Sequence, residues 1–276
     1  MMEIPFESQV KKGNRFQFGK NWEGYLGTIS EEKIHNAEKS LMEMLECNDL
    51  TGKHFLDVGC GSGLFSLAAM RMGAFVFSFD FDPDSVKCAQ LLREKFFSGG
   101  NWKIEKGSIL DKQYVSSLGQ FDIVYSWGVL HHTGDMEGAM KNIDFLVKND
   151  GKLFIAIYND QGKNSVRWRR IKKIYNSGAL GRYFIVSIYF PFFFFRSFFS
   201  DILKFKNPFR RYYDYKSQRG MSMFYDWLDW LGGLPFEVAT PDAIFEFFKE
   251  RGYTLQKLKT TQTLGCNEFV FQKTGK

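Results

Sequence analysis

The chain has 276 residues, 44% hydrophobic and 25% charged, which is enough for one α/β domain with an elaboration and excludes a disordered or fibrous protein. Its four cysteines, Cys47, Cys60, Cys88 and Cys266, lie far apart without a Cys-x-x-Cys pair, so neither a zinc knot nor a disulfide framework is indicated; with no secretory apolar stretch at the start, a reducing cytoplasm is expected. The net charge of +6 is concentrated in one place: 14 Lys/Arg and 3 Asp give residues 160–220 a charge of +11, leaving the remainder at −5.

Residues 13–27 are aromatic and Gly-rich without a clear period and read as a structured loop. Thr28 and Glu31 have the spacing of a capping box, and Ile34, Ala37, Leu41 and Leu45 share one helical face, which predicts a helix ending near Asn48. His54 to Val58 then reads as a short buried strand. Glycines at 59, 61 and 63 let the backbone turn tightly before a helix from Leu64, a strand, Gly loop, helix unit. A second strand covers 74–79 and ends at Asp80, roughly the 20-residue distance at which a Rossmann-like carboxylate takes ribose hydroxyls. Asp82 and Pro83 open a helix to about Phe97.

Further strands are predicted at 102–106, 121–126 and 152–158. A helix from Asp135 carries Met136, Ala139, Met140, Ile143, Leu146 and Val147 on its buried side. Near the end, Thr240 and Pro241 start a helix with an Ile244, Phe245, Phe248 face that Gly252 stops, and strands follow at 253–259 and 267–272. Alternating strands and helices with short connections predict a mostly parallel, doubly wound sheet with ligands at the carboxyl ends of its strands.

The run Leu56-Asp57-Val58-Gly59-Cys60-Gly61-Ser62-Gly63, with its Asp at the strand end and no Gly-x-Gly-x-x-Gly, resembles the first motif of the class I S-adenosylmethionine (SAM)-dependent methyltransferases. Ser126-Trp-Gly-Val-Leu-His-His-Thr-Gly-Asp-Met136 and Asp226 to Glu237 place it near the ubiquinone O-methyltransferases, in a branch resembling 2-polyprenyl-hydroxybenzoquinol methylase. The core resemblance covers residues 54–158. It implies a Rossmann-like seven-stranded sheet ending in a reversed hairpin, an N-terminal cap, an inserted helical lid, and SAM as cofactor with S-adenosylhomocysteine (SAH) as product. It also implies that Asp57, Gly59, Gly61 and Gly63 hold the methionine end, Asp80 the ribose, and the turn with Ser108 and Ile109 the adenine, with Cys60 and Phe81 among the cofactor-binding residues. Trp127, Trp22 and Phe18 line or close the cofactor pocket. Packing of the N-terminal aromatics onto the sheet is the competing reading of Phe18 and Trp22.

The divisions read from this are 1–50 cap, 51–160 SAM-binding core, 161–235 basic aromatic insertion, and 236–276 closing helix and strands. Where the ubiquinone enzymes carry Glu-x-x-Glu-His, this chain has Gly128, His131 and His132, so no metal is carried over. Either His suits a general base, His131 being preferred and His132 read as structural. Tyr158, Asn159, Arg219, Trp230 and Glu237 are the candidates for acceptor contacts, against buried packing or a surface ion pair.

Residues 160–220 hold 17 of the 49 aromatic residues, densest from Tyr183 to Phe199. Pro191 and Arg196 interrupt that run, which argues against a transmembrane span; two amphipathic helices over 165–216 are expected instead. Contiguous Phe also argues against an RNA-stacking platform. The first reading is thus O-methylation of a small-molecule, sugar or lipid-linked acceptor. Methylation of RNA or another polyanion, N- or C-methylation, and a non-enzymatic SAM-binding protein are the alternatives. A homodimer or self-packing is ranked ahead of peripheral membrane contact for the Phe block.

Overall fold

The computed structural model describes residues 4–97, 101–207, 223–262 and 265–275. Arg219 and residues 208–216 of the expected lid lie outside them.

The elements in chain order are α1 (Phe6–Lys11), α2 (Phe18–Leu26), α3 (Glu31–Leu45), β1 (His54–Val58), α4 (Leu64–Arg71), β2 (Phe75–Asp80), α5 (Pro83–Phe96), β3 (Trp102–Lys106), α6 (Lys112–Ser117), β4 (Phe121–Trp127), a short 3-10 turn (Leu130–His132), α7 (Met136–Phe145), β5 (Val147–Tyr158), α8 (Lys163–Tyr175), α9 (Ala179–Leu203), α10 (Met223–Gly232), α11 (Pro241–Lys249), β6 (Tyr253–Lys259) and β7 (Cys266–Lys273). The seven strands form one sheet in the order β3-β2-β1-β4-β5-β7-β6. All neighbours run parallel except β7, which is antiparallel to β5 and β6. This is the Rossmann-like α/β architecture that the sequence predicts. The strand order reverses between β1 and β4, where an open sheet leaves a crevice at its carboxyl edge.

Alternate residues of the central strands feed two cores. Phe55, Ile123, Tyr125 and Phe154 face α3 and α4 on one side, while Leu56, Val58, Val124 and Leu153 face the α7 and α11 side with Phe248 and Phe271. Each fully buried Leu or Phe contributes about 1.5–3 kcal/mol, so the sheet is stiff where it presents its loops. A third, smaller core of Ile171, Tyr175, Ile185 and Leu231 joins α8, α9 and α10.

Several local expectations shift. Residues 18–26 form helix α2, because Trp22 and Leu26 pack onto the first core although they follow no obvious period in the sequence. Ser30, not Thr28, is the N-cap of α3, and no side chain closes a capping box there. Leu146 caps α7 and Val147 already belongs to β5. Pro191 and Arg196 do not interrupt α9, which runs through both for 25 residues. By length and composition it could cross a membrane, with an 18-residue window of mean hydropathy 1.4 of which 6% is buried. The expectation of a run broken at these two residues was wrong, because the helix continues through both and recruits flanking residues on both sides of the Phe block.

Candidate active site

The loop after β1 is drawn tight by the neighbouring strand: the Gly59 and Cys60 amides both donate to the Phe79 carbonyl, at 2.8 and 3.2 Å. Gly59 has φ +76°, and a Cβ there would stand 2.4 Å from Val129 Cγ1. Gly61, at φ +52°, would put a Cβ 3.2 Å from the Trp22 ring, so α2 lies directly over the bare backbone of the loop.

Asp80, at the end of β2, accepts from the Gly61 amide at 2.9 Å and from the Asp82 amide at 2.8 Å. Burial raises its pKa to about 6, partly offset by those two amides. Asp57 is more deeply placed; burial takes it to about 7 despite a 2.6 Å hydrogen bond from Ser66 Oγ. Ser66, which the motif reading passed over, thus occupies one Asp57 oxygen. Phe81 sits between the Phe6 ring, 5.6 Å away, and the Arg15 guanidinium at 5.0 Å. Ser108 Oγ accepts from the Leu110 amide, whereas the Ile109 side chain belongs to the second core. Trp127 is 44% exposed at the tip of β4.

The N-terminal cap is pinned at two points. The Gly19 amide donates to Asp82 Oδ2 at 2.9 Å while Asp82 Oδ1 caps α5 through the Asp84 amide. Phe18 lies 5.0 Å from the His132 ring. One short helix therefore reaches from the Gly loop to the histidine pair. Arg15 anchors the same turn by donating to the His132 and Thr133 carbonyls, both at 3.1 Å.

The two histidines differ in what their nitrogens can do. His132 Nδ1 lies 2.6 Å from the Pro235 carbonyl, which only accepts, so Nδ1 carries the proton and Nε2 is left with a free lone pair. His131 has no exposed surface, and its Nδ1 accepts from the Tyr158 amide at 3.3 Å. Its proton therefore sits on Nε2, a buried atom without a hydrogen-bond partner among the described residues. Burial pushes both pKa values down, His132 to about 3 and His131 well below the ordinary imidazole range.

Tyr158, Trp230 and Phe236 form an aromatic wall beside the pair: the Tyr158 ring is 4.0 Å from His131, 5.4 Å from Trp230 and 5.5 Å from Phe236. Behind it Lys172, fully buried, donates to the Trp230 carbonyl and lies over the Trp230 and Phe236 rings at 4.5 and 4.9 Å. Burial lowers Lys172 to about 7. It escaped the sequence reading because one Lys among six cations in α8 carries no signal that it turns inward.

Two proposed acceptor residues are otherwise engaged. Asn159 donates to the Thr261 carbonyl and accepts from Asn267, which ties β5 to β7. Glu237 Oε2 accepts from the Met136 amide at the start of α7.

A family profile described as a methyltransferase domain matches residues 49–183, which carry β1 to β5, the Gly loop and the histidine pair. These residues form a methyltransferase domain. Among its relatives, the ubiquinone biosynthesis O-methyltransferase of Coxiella burnetii is 36% identical over 110 residues, 40% of this chain and 45% of the relative. That of Xanthomonas oryzae pv. oryzae is 32% identical over 111 residues, with the same 40% and 45%. The chain thus spans less than half the length of these curated relatives. In fold, the methyltransferase domain and its elaborations resemble magnesium protoporphyrin IX methyltransferase from Synechocystis PCC 6803 with bound SAH, at TM-score 0.57 and 12% identity, covering 97% of this chain and all of that one. An S-adenosylmethionine-dependent methyltransferase structure from Listeria monocytogenes gives 0.52 and 13%, covering 87% of this chain and 100% of that one. The Synechocystis methyltransferase structures hold SAM or SAH. The residues at the carboxyl edge of this chain's sheet fit such a group: a carboxylate at the end of β2, a turn of glycines open to close approach, and Trp22 above it.

Proposed function

We propose that the chain transfers the methyl group of SAM to a hydroxyl of a small or lipid-linked acceptor, with His132 as general base. SAM supplies a methyl group on a sulfonium, an activated leaving group. In-line transfer then asks two things of the chain: to hold the acceptor still and to remove its proton.

Asp80 would hold the ribose hydroxyls and the Gly59 to Gly63 backbone the methionine end, with Trp22 excluding water above them. Tyr158, Trp230 and Phe236 form an apolar, aromatic surface suited to an aromatic or prenylated acceptor rather than a polyanion. The observation that carries the assignment of the base is the 2.6 Å contact of His132 Nδ1 with the Pro235 carbonyl, which leaves Nε2 as an acceptor. His131, preferred from sequence, has given its lone pair to the Tyr158 amide and presents a proton instead. Its role in this reading is to fix the strand-five edge through that amide. The names of the curated relatives support an oxygen acceptor.

The test is a panel of catechols with and without a prenyl chain, assayed by mass spectrometry for gain of a methyl group, with His131→Ala and His132→Ala beside the parent protein. A methylated catechol that disappears only with His132→Ala supports the reading. Full activity in both variants would point to an amine or carbanion acceptor, which needs no such base.

A further inference from the structure

Helix α9 exposes the face that a helix in water would make polar. Leu180, Phe184, Ile188, Phe192, Phe195 and Phe199 recur at intervals of three and four and are all exposed, a stripe that continues to Leu203. At 1.5 Å per residue it is roughly 35 Å long. No acidic or basic residue occurs from Tyr183 to Phe195. The opposite face is used: Ile185, Tyr189 and Phe193 pack with Trp168 and Leu228. Lipid therefore cannot surround α9, and a transmembrane placement does not fit.

Charge decides what covers the stripe. Arg196 interleaves with it, four residues after Phe192 and three before Phe199, and Lys204 and Lys206 lie at its end, all exposed. From Lys163 to Asn207 the sole acidic residue is Asp201, which is 2% exposed. A second copy of this face would bring cations against cations, an arrangement that costs rather than stabilises. An anionic headgroup layer over acyl chains complements both the cations and the rings.

We propose that α9 lies in the plane of an anionic lipid bilayer, its Phe stripe sunk to the acyl boundary and its cations at the headgroups. The catalytic domain then works against the membrane surface.

Flotation of the full chain with phosphatidylcholine vesicles, with and without one quarter phosphatidylglycerol, tests this. The parent protein is expected to float with the anionic vesicles. Phe192→Asp with Phe195→Asp, both positions 52% exposed, should keep the melting temperature and SAM binding while lowering vesicle affinity on the order of 100-fold. Arg196→Gln with Lys204→Gln, which leaves the stripe intact, should weaken binding to anionic vesicles about fivefold per cation removed and leave neutral vesicles unaffected. Failure of the parent protein to float overturns the proposal. So does equal binding by the Asp variant, or a dimer in light scattering that the Asp variant dissociates while vesicles stay unbound.

Discussion

The cofactor edge and the acceptor edge of the same sheet are built by different means. Around the Gly loop the hydrogen bonds described above join residues within one β-α-β unit: Gly59 and Cys60 to Phe79, Gly61 to Asp80, Ser66 to Asp57. Around the histidines the contacts join distant segments: Arg15 to His132, His132 to Pro235, Lys172 to Trp230, Tyr158 to His131. A local site tolerates change in the rest of the chain. An assembled one can be altered by any segment that reaches it, which suits an edge that selects the acceptor while the cofactor stays constant.

The sharpest separation of the two edges comes from His132→Ala. Methyl transfer is expected to fall by about two to four orders of magnitude while calorimetric SAM binding stays unchanged. A matching loss of SAM affinity would mean that the edges are not independent. Asp80→Ala should do the reverse, weakening SAM binding by roughly 10- to 150-fold, since a hydrogen bond to a charged group contributes about 1.5–3 kcal/mol. An unaltered dissociation constant would remove Asp80 from the ribose site.

Acidification also pulls the two edges apart. Asp80 at about 6 must be ionised to accept from ribose, so SAM affinity should be about tenfold weaker at pH 5 than at pH 7. In stability the signs oppose. The raised pKa values of Asp57 and Asp80 give a contribution fully present below about 3.8 and lost as pH rises through 6 to 7. The lowered pKa of His132 gives one fully present above about 6.5 and lost as pH falls toward 3. Urea unfolding between pH 7 and 4 should therefore show a term of at most about 1.4 kcal/mol per pH unit that vanishes in His132→Ala.

The smallest effect is expected at Asn159→Ala: roughly 1 kcal/mol of stability from its two side-chain hydrogen bonds, with activity per folded molecule preserved. A selective rise in acceptor KM would return Asn159 to the acceptor site.

This difference in construction also governs what the sequence discloses. The sheet was legible because its strands are buried on both faces and read as apolar runs, and Asp80 was legible because its distance from the Gly loop is a property of one unit. The helical state of residues 18–26 was not, since its cause is packing of Trp22 on a glycine 39 residues away. The tautomers of His131 and His132 follow from a carbonyl at 235 and an amide at 158, and no spacing within the Leu-His-His run encodes them. Lys172 and Arg15 were hidden for the same reason: basic residues are ordinarily solvated, and only the assembled fold shows these two turned inward or tied to the histidine turn.

Helix α2 has a kinetic consequence. It touches the Gly loop through Trp22, the α5 cap through Gly19 and His132 through Phe18, so one helix spans both compartments. Raising it to admit a nucleoside strips one wall from the acceptor compartment, and lowering it again restores that wall. Ligands should consequently enter in a fixed order, cofactor ahead of acceptor, and the demethylated cofactor should leave last. Initial-rate inhibition by SAH, competitive against SAM and not against the acceptor, is the pattern this order produces.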